Sequence, residues 1–167
     1  MKTVYRIACV LAAFSVLSCD SMERHYQEMA DRKRVEHIDY IARLIRQFHS
    51  DTGDYPLESK LSDGPIEVFI TDREVPSRYY DASARAGIEL YPVEELAAEL
   101  ERVLWKGIEL PSDPQKVATF APNFYIYHVD ESQACVAGHL YAPREGARRV
   151  RDWYYKYEHC TRIEPPA

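Results

Sequence analysis

The sequence predicts an α+β domain in which a long N-terminal helix packs on a C-terminal antiparallel sheet of three or four strands. Two patterns of apolar residues predict this fold. Apolar residues recur at helical spacing in the first third of the chain, and after residue 114 the period changes from 3.6 residues to two. The chain has 167 residues, 46% of them hydrophobic, which suits one domain with a substantial core.

The first predicted element is a helix from residue 22 to about residue 50. Residues 21–34 are mostly polar, so residues 19–34 are expected to be either a solvated helical stalk or a flexible tether before a domain at 35–162. Gly53 and Pro56 end the helix. Its apolar stripe follows the i, i+3, i+4, i+7 pattern and consists of Val35, Ile38, Ile41, Ala42, Ile45 and Phe48.

The middle of the chain, residues 57–92, carries weaker signals. Residues 66–71 are β-branched and predict a short strand, whereas residues 73–90 are polar and predict a variable loop. A second helix begins at Val93, with Glu94 and Glu95 at its N-terminal end, and runs to residue 106 before a Gly107 cap.

The last third predicts an antiparallel meander. Residues 123–129 form a first strand, residues 133–141 a second and residues 152–159 a third, with residues 143–151 as a polar loop. If Tyr141 pairs with Tyr154, the same register places Cys135 opposite Cys160, at a separation that suits a disulfide. Two separate buried thiols are the alternative.

The first 18 residues have the features of a signal peptide. Lys2 and Arg6 are the only charged residues before Asp20, and an apolar stretch of about 12 residues follows them, too short for a membrane-spanning helix. Val16-Leu17-Ser18-Cys19 resembles the lipobox of bacterial lipoproteins. The resemblance implies loss of residues 1–18 and acylation of Cys19, palmitate included; an ordinary cleaved secretory signal is the alternative. Asp20 resembles an inner-membrane retention signal, which slightly favours the inner over the outer membrane.

The net charge of the chain indicates which kinds of partner it is expected to bind. The formal net charge is −6, and it becomes −8 once Lys2 and Arg6 leave with the signal peptide. An acidic chain without concentrated lysine and arginine is not expected to bind nucleic acid. Cys9 leaves with the same segment, so it has no expected role in the fold.

The order of the motifs resembles a known family. Gly53-Asp54-Tyr55-Pro56 follows the first helix, and Leu110-Pro111-Ser112-Asp113-Pro114 precedes the sheet. Over roughly residues 35–160 this resembles the periplasmic part of type II secretion system protein G-like major pseudopilins and of type IV pilins. The resemblance implies a pilin-like fold with Gly53, Tyr55, Pro56, Asp113 and Pro114 as fold-motif residues. The chain lacks the family's Gly-Phe-Thr-Leu-Ile-Glu cleavage site, its long apolar helix and its calcium loop, which favours a lipid-tethered head over a filament subunit.

No motif in the sequence indicates catalysis, and we expect no enzyme activity and no cofactor. The six histidines have no metal-ligand spacing, and no C-x-x-C, G-x-S-x-G or P-loop motif occurs. Asp51 and Asp54 flank Gly53 without a third acidic residue, so a turn is a better interpretation than a calcium site.

Two surface features remain as candidate partner-binding sites. The first is a basic loop, which would suit lipid head groups, an acidic partner or a glycan, or is simply solvated; it holds Arg144, Arg148, Arg149 and Arg151. The second is an aromatic face that includes Trp153 and Tyr155, where alternate tyrosines point to opposite sides of the sheet.

Together these features predict a non-enzymatic, periplasm-facing envelope lipoprotein with a protein partner, as an accessory of a secretion or surface-filament system. The alternative is a periplasmic ligand- or glycan-binding lipoprotein.

Overall fold

A computed structural model describes residues 2–115, 123–151 and 154–162, with side chains described from residue 22 onward except at residues 62, 63 and 151. The helices are α1 (Lys2–Thr52), α2 (Ser77–Arg85) and α3 (Val93–Val103), with a 3₁₀ turn at Glu58–Asp63. The strands are β1 (Ile66–Ile70), β2 (Glu89–Tyr91), β3 (Tyr125–Val129), β4 (Gln133–Leu140), β5 (Ala147–Arg151) and β6 (Tyr154–Arg162). The α+β class is therefore confirmed.

Helix α1 packs along one face of the sheet through the apolar stripe that the sequence predicts. The stripe residues are all buried, and packing extends upstream to Ala30. The helix ends at Gly53, whose φ of 85° suits glycine and whose amide donates to the carbonyl of His49. Helix α3 lies on the same face and contributes Leu96 and Leu100 to the core that it shares with α1.

Within the described residues the sheet has six strands in the order β2-β1-β3-β4-β6-β5, so the prediction of three or four strands was wrong. It is also mixed: β1 and β2 are parallel and joined through α2, and the other neighbours are antiparallel. The predicted loop at 73–90 contains α2 and the start of β2, and the predicted loop at 143–151 contains β5. These elements are short and polar, so few apolar residues mark them in the sequence.

Two element boundaries also differ from the expected ones. Helix α3 ends at Val103, before the predicted cap at Gly107. The amide of Gly107 instead donates a hydrogen bond to the carboxylate of Glu101. Strand β6 runs to Arg162, beyond the predicted end at residue 159, whereas the predicted start at residue 152 lies outside the described residues. Ends of elements depend on local hydrogen bonds more than on hydrophobic period.

The register of the β4–β6 pair is the one that the sequence predicts. Cys135 lies opposite Cys160, and Leu140 lies opposite Tyr155. A disulfide joins the two cysteines, whose Cα atoms are 4.1 Å apart. The bond links two neighbouring strands across a segment that includes β5.

The alternation of the strands separates two faces of the sheet. Tyr125, Tyr127 and Val129 of β3 are fully buried on the face covered by α1 and α3. The opposite face carries Glu67 and Phe69 of β1, which contact Ser83 and Tyr80 of α2. Helix α2 thus covers the β1 end of this second face, and β4 and β6 present a largely open surface there, called the open face below.

Candidate functional site

The Gly53-Asp54-Tyr55-Pro56 turn attaches the end of α1 to the sheet. Tyr55 is buried and stacks on His49, with ring centroids 4.1 Å apart. The carbonyl of Pro56 accepts a hydrogen bond of 2.7 Å from the hydroxyl of Tyr127. The turn therefore has a structural role, because it satisfies the buried hydroxyl of a core tyrosine.

Asp113 of the Leu-Pro-x-Asp-Pro motif binds a buried arginine of α1. Arg34 donates through Nε to Asp113 Oδ2 at 2.6 Å and through Nη2 to Oδ1 at 3.0 Å. Its Nη1 donates to Asp31 at 2.8 Å, and the other Asp31 oxygen accepts from the amides of Tyr141 and Ala142. The network ties α1 both to the segment before β3 and to the end of β4.

The charges of this network hold the arginine in its ionised form. Burial by itself would lower the pKa of Arg34, but the hydrogen bonds and charges of Asp113 and Asp31 raise it above its ordinary value. Arg34 stands four residues before Ile38, in phase with the buried stripe. This helical spacing is the sequence feature that could have predicted a buried arginine. The polar composition of residues 21–34 indicated a solvated segment instead. Pro114, the last residue of the motif, is exposed.

The basic segment lies at one edge of the sheet. The carbonyl of Arg144 accepts from the amide of Ala147 in the turn that leads into β5. Arg148 and Arg149 are exposed on β5 and point to opposite faces, because they lie opposite Lys156 and Tyr155 respectively. Arg144, Arg148 and Arg149 thus lie at this edge, and the half-buried Tyr155 lies opposite Arg149 on the neighbouring strand β6.

Two further residues of the predicted partner-binding site are only partly described. The backbone of Arg151 belongs to β5 and pairs with Tyr154 after a register shift, whereas its side chain lies outside the described part. Trp153 lies entirely outside the described residues.

The tyrosines of β3 lie on the helix-covered face, whereas Phe69, Tyr80 and Phe124 pack together on the opposite side. Tyr157 belongs to the helix-covered face, where its hydroxyl lies 3.3 Å from Asp39, and Asp39 also lies 2.7 Å from His159. On the opposite side Tyr154 is half-buried and meets the ring of His139 edge-on, with centroids 5.0 Å apart. Both tyrosines of β3 are buried beneath the helices, and Ile126 between them lies on the opposite face.

A chain of polar side chains lies on the face opposite α1, at the end that α2 covers. The hydroxyl of Ser83 donates to Glu67 at 2.8 Å, and the other Glu67 oxygen lies 3.5 Å from Nδ1 of His128. Nε2 of the same histidine lies 3.3 Å from Asp130. Sequence reasoning missed this group, because its members come from three separate elements and a turn.

Hydrogen bonding in this chain favours the charged forms. The bond with Glu67 raises the pKa of His128, and Asp130 adds to the effect against burial. Burial would raise the pKa of Glu67, but bonds from His128 and Ser83 hold it below its ordinary value. Because Glu67 lies between Ser83 and His128, the histidine does not contact this hydroxyl.

The disulfide forms part of a shallow groove beside this chain. The groove has a volume of about 360 Å³, with Ile126, Ala137 and the two cysteines along its floor. Lys156 and Glu158 form an ion pair on its β6 side. Four of its polar side chains are already paired, Glu67 with His128 and Lys156 with Glu158.

The histidines are dispersed over the fold. His37 contacts the Tyr125 hydroxyl at 2.9 Å, whereas His49 stacks on Tyr55 and His128 joins the polar chain. In the part of the chain that the structure describes, no group of three or more His, Cys, Asp or Glu side chains is placed to hold a metal ion. The amide of Asp54 is bonded by Thr52, as in a turn.

Comparison with known proteins assigns this chain to no family. No protein-family model, no curated protein and no solved structure matches the chain. Among the residues described, no helix combines the length and the apolarity needed to cross a membrane.

Proposed function

We propose that this protein is a membrane-anchored envelope lipoprotein with a non-enzymatic binding or assembly role, acylated at Cys19 and facing the periplasm. The lipobox-like Val16-Leu17-Ser18-Cys19 segment supports the anchor. One acyl chain binds membranes only marginally, so stable attachment requires more than one chain or a second signal. The resemblance of Asp20 to an inner-membrane retention signal slightly favours the inner membrane over the outer.

The course of α1 is the observation that carries this proposal. The helix continues from the segment that holds Cys19 into the packed domain without interruption. Packing against the sheet begins only at Ala30, and most of residues 22–29 are exposed. At 1.5 Å per residue, the eleven residues from Cys19 to Ala30 hold the domain about 16 Å from the lipid. Such a spacer suits a domain that must meet a partner near the membrane surface.

The proposed assembly role is pseudopilin-like. A long helix crosses a largely antiparallel sheet, the turn at Tyr55 and Pro56 closes on the core, and Asp113 anchors the segment before the sheet. These features support a head domain that acts as an accessory of a secretion or surface-filament system. The partner is a protein of the envelope, not nucleic acid.

Metabolic labelling with radioactive palmitate tests the anchor. Wild-type protein should incorporate label and stay with membranes after a carbonate wash, whereas Cys19→Ala should lose both properties. Cys9→Ala is the matched control, because it lies in the same segment but outside the lipobox, and it should be labelled normally. Membrane retention of Cys19→Ala after the wash would overturn the proposal.

Thermal denaturation distinguishes the proposed protein-binding role from the alternative, a glycan- or ligand-binding lipoprotein. A protein-binding accessory should show no shift of Tm with soluble cell-wall fragments. In-cell chemical crosslinking should instead give a defined protein adduct. A saturable rise of Tm with a cell-wall fragment, without any adduct, would favour the alternative.

A further inference from the structure

Strand β5 is an open edge of the sheet. It pairs with β6 on one side, and no strand within the described residues pairs with its other side. Arg148, Arg149 and Val150 are exposed, and Val150 retains 43% of its accessible surface. An edge strand presents a row of backbone donors and acceptors on which an extended segment can add as a further strand. The other edge is less suitable, because β2 has only three residues.

The charge of this edge differs in sign from that of the whole chain. Residues 144–151 contain four arginines and one acidic residue, Glu145, whereas the chain carries a formal net charge of −6. Arg148 also lies directly opposite Lys156, which adds positive charge on the open face, although Lys156 is paired with Glu158. An acidic segment laid along β5 would therefore meet arginines on both faces.

The same arginines argue against a second copy of this chain as the occupant. Pairing of β5 with β5 of another copy would place arginine rows next to each other, and like charges across strands are destabilising. Arginines on an edge are also a common means of preventing edge-to-edge aggregation. Neither objection applies to a strand with alternating acidic residues, whose charges are complementary.

We propose that β5 is the docking edge for an acidic, extended segment of a partner protein, which adds to the sheet beside β5 as a seventh strand. The inference rests on the proposed binding role, and it names the surface and the chemistry of the partner. It does not depend on acylation of Cys19, so failure of the palmitate experiment would leave it standing.

Binding of a synthetic peptide to the full-length protein in detergent micelles tests the proposal. The probe is a fluorescent nine-residue peptide with blocked ends that alternates Glu and Val. Its partner probe has the same sequence with N-methyl groups on every second amide, which keeps the charge but removes strand pairing. We expect saturable binding of the first peptide and at least about tenfold weaker binding of the second. Equal binding of the two peptides would overturn strand addition.

Hydrogen exchange locates the binding site independently of affinity. Amides of residues 147–151 should exchange more slowly with the unmodified peptide, and those of β2 should be unchanged. Protection at the groove on the open face, with none on β5, would overturn the assignment.

Charge-reversal variants test the role of the arginines. Arg144→Glu combined with Arg148→Glu should weaken binding of the acidic peptide about tenfold, and added salt should weaken binding to wild type. Arg43→Glu combined with Arg46→Glu is the matched control, since both arginines are exposed on α1 and the net charge changes by the same amount, and it should bind like wild type. Equal losses in both proteins would indicate a non-specific charge effect and contradict the proposal. Vesicles of anionic lipid and vesicles of neutral lipid should have the same effect on binding of the acidic peptide. If anionic vesicles alone displace the peptide, the edge binds a lipid surface instead, which would contradict the proposal.

Discussion

At the scale of single residues, His128 is the clearest pH-sensitive group, because it lies between the carboxylates of Glu67 and Asp130. Its raised pKa means that it stabilises the fold in full below its ordinary value of 6.5 and loses this effect as the pH rises through the folded-state pKa. We expect His128→Gln to lower the free energy of unfolding by about 0.5–1 kcal/mol at pH 5.5 and by less at pH 9. Urea denaturation at the two pH values measures this difference. A larger loss at pH 9 would contradict the assignment.

His139 has the opposite pH dependence. Burial, with Lys156 and Arg34 adding positive charge, lowers its pKa from 6.5 to about 4, and its Nδ1 is buried without a partner. Its neutral form therefore stabilises the fold in full above pH 6.5, and this stability is lost as the pH falls toward 4. One pKa unit corresponds to ~1.4 kcal/mol, so the loss by pH 4.5 is on the order of 2 kcal/mol.

The substitution His139→Leu should remove this acid sensitivity. At pH 7 the variant should be about as stable as wild type, since no hydrogen bond of Nδ1 is lost. At pH 4.5 it should be the more stable of the two in urea denaturation. Parallel loss of stability in the two proteins between pH 7 and 4.5 would refute the assignment.

At the scale of elements, the Arg34–Asp113 pair attaches α1 to the segment before β3. Both side chains are almost fully buried, and without Asp113 the buried Nε of Arg34 loses its acceptor while the guanidinium keeps Asp31 as a carboxylate partner. We expect Asp113→Ala to lower the free energy of unfolding by about 3 kcal/mol, because part of the buried charge stays paired. The exposed Lys33–Glu36 pair is the control one residue upstream, and Lys33→Ala should cost less than about 0.5 kcal/mol. Similar losses for the two variants in urea denaturation would show that the buried pair has no special role.

The close approach of α1 to β4 depends on a glycine. A Cβ atom at Gly138 would lie 2.8 Å from Cδ1 of Ile38 and 2.9 Å from Cδ1 of Tyr125. Gly138→Ala should therefore destabilise the protein by about 1–3 kcal/mol through overpacking. Ile38→Val removes Cδ1, so the cost of Gly138→Ala should be smaller by about 1 kcal/mol in that background. Strict additivity in the double-mutant cycle would place the strain elsewhere.

Elements with a hydrophobic period could be predicted from the sequence, and elements without one could not. The buried stripe of α1, the alternation of β3 and the position of β4 followed from residue spacing. Strand β5 consists of Ala-Arg-Arg-Val-Arg and pairs through its backbone at the edge, where it needs no buried side chain. Helix α2 buries only Ser83, so its sequence resembles a loop.

At the scale of the whole molecule, the Cys135–Cys160 bond closes a segment with a sequence separation of 25 residues. In the chain-entropy model a loop of this length contributes about 3 kcal/mol. Replacement of both cysteines by alanine should lower the free energy of unfolding by that amount. Reductant should destabilise wild type but not the variant, and urea denaturation in each condition measures both effects. A variant within about 1 kcal/mol of oxidised wild type would show that the unfolded chain gains little from opening this loop.

The candidate sites could also be predicted from the sequence only in part. The arginines of β5 are close together in sequence, so their clustering could be predicted, although their position on an open edge could not. The chain of Ser83, Glu67 and His128 joins residues up to 61 positions apart, and no local pattern relates them. The burial of Arg34 depends equally on Asp113, 79 residues away.

The sequence by itself determined the α+β class, the apolar stripe from Val35 to Phe48 and the pairing of the two cysteines. These depend on periodicity and on a constant register, both of which are local properties of the chain. Only the tertiary structure decided that the sheet has six strands, that Arg34 is an interior residue and that the basic segment forms an outer strand. Each of these depends on backbone hydrogen bonds or ion pairs between distant segments, whose free energy exists only once those segments have been brought together.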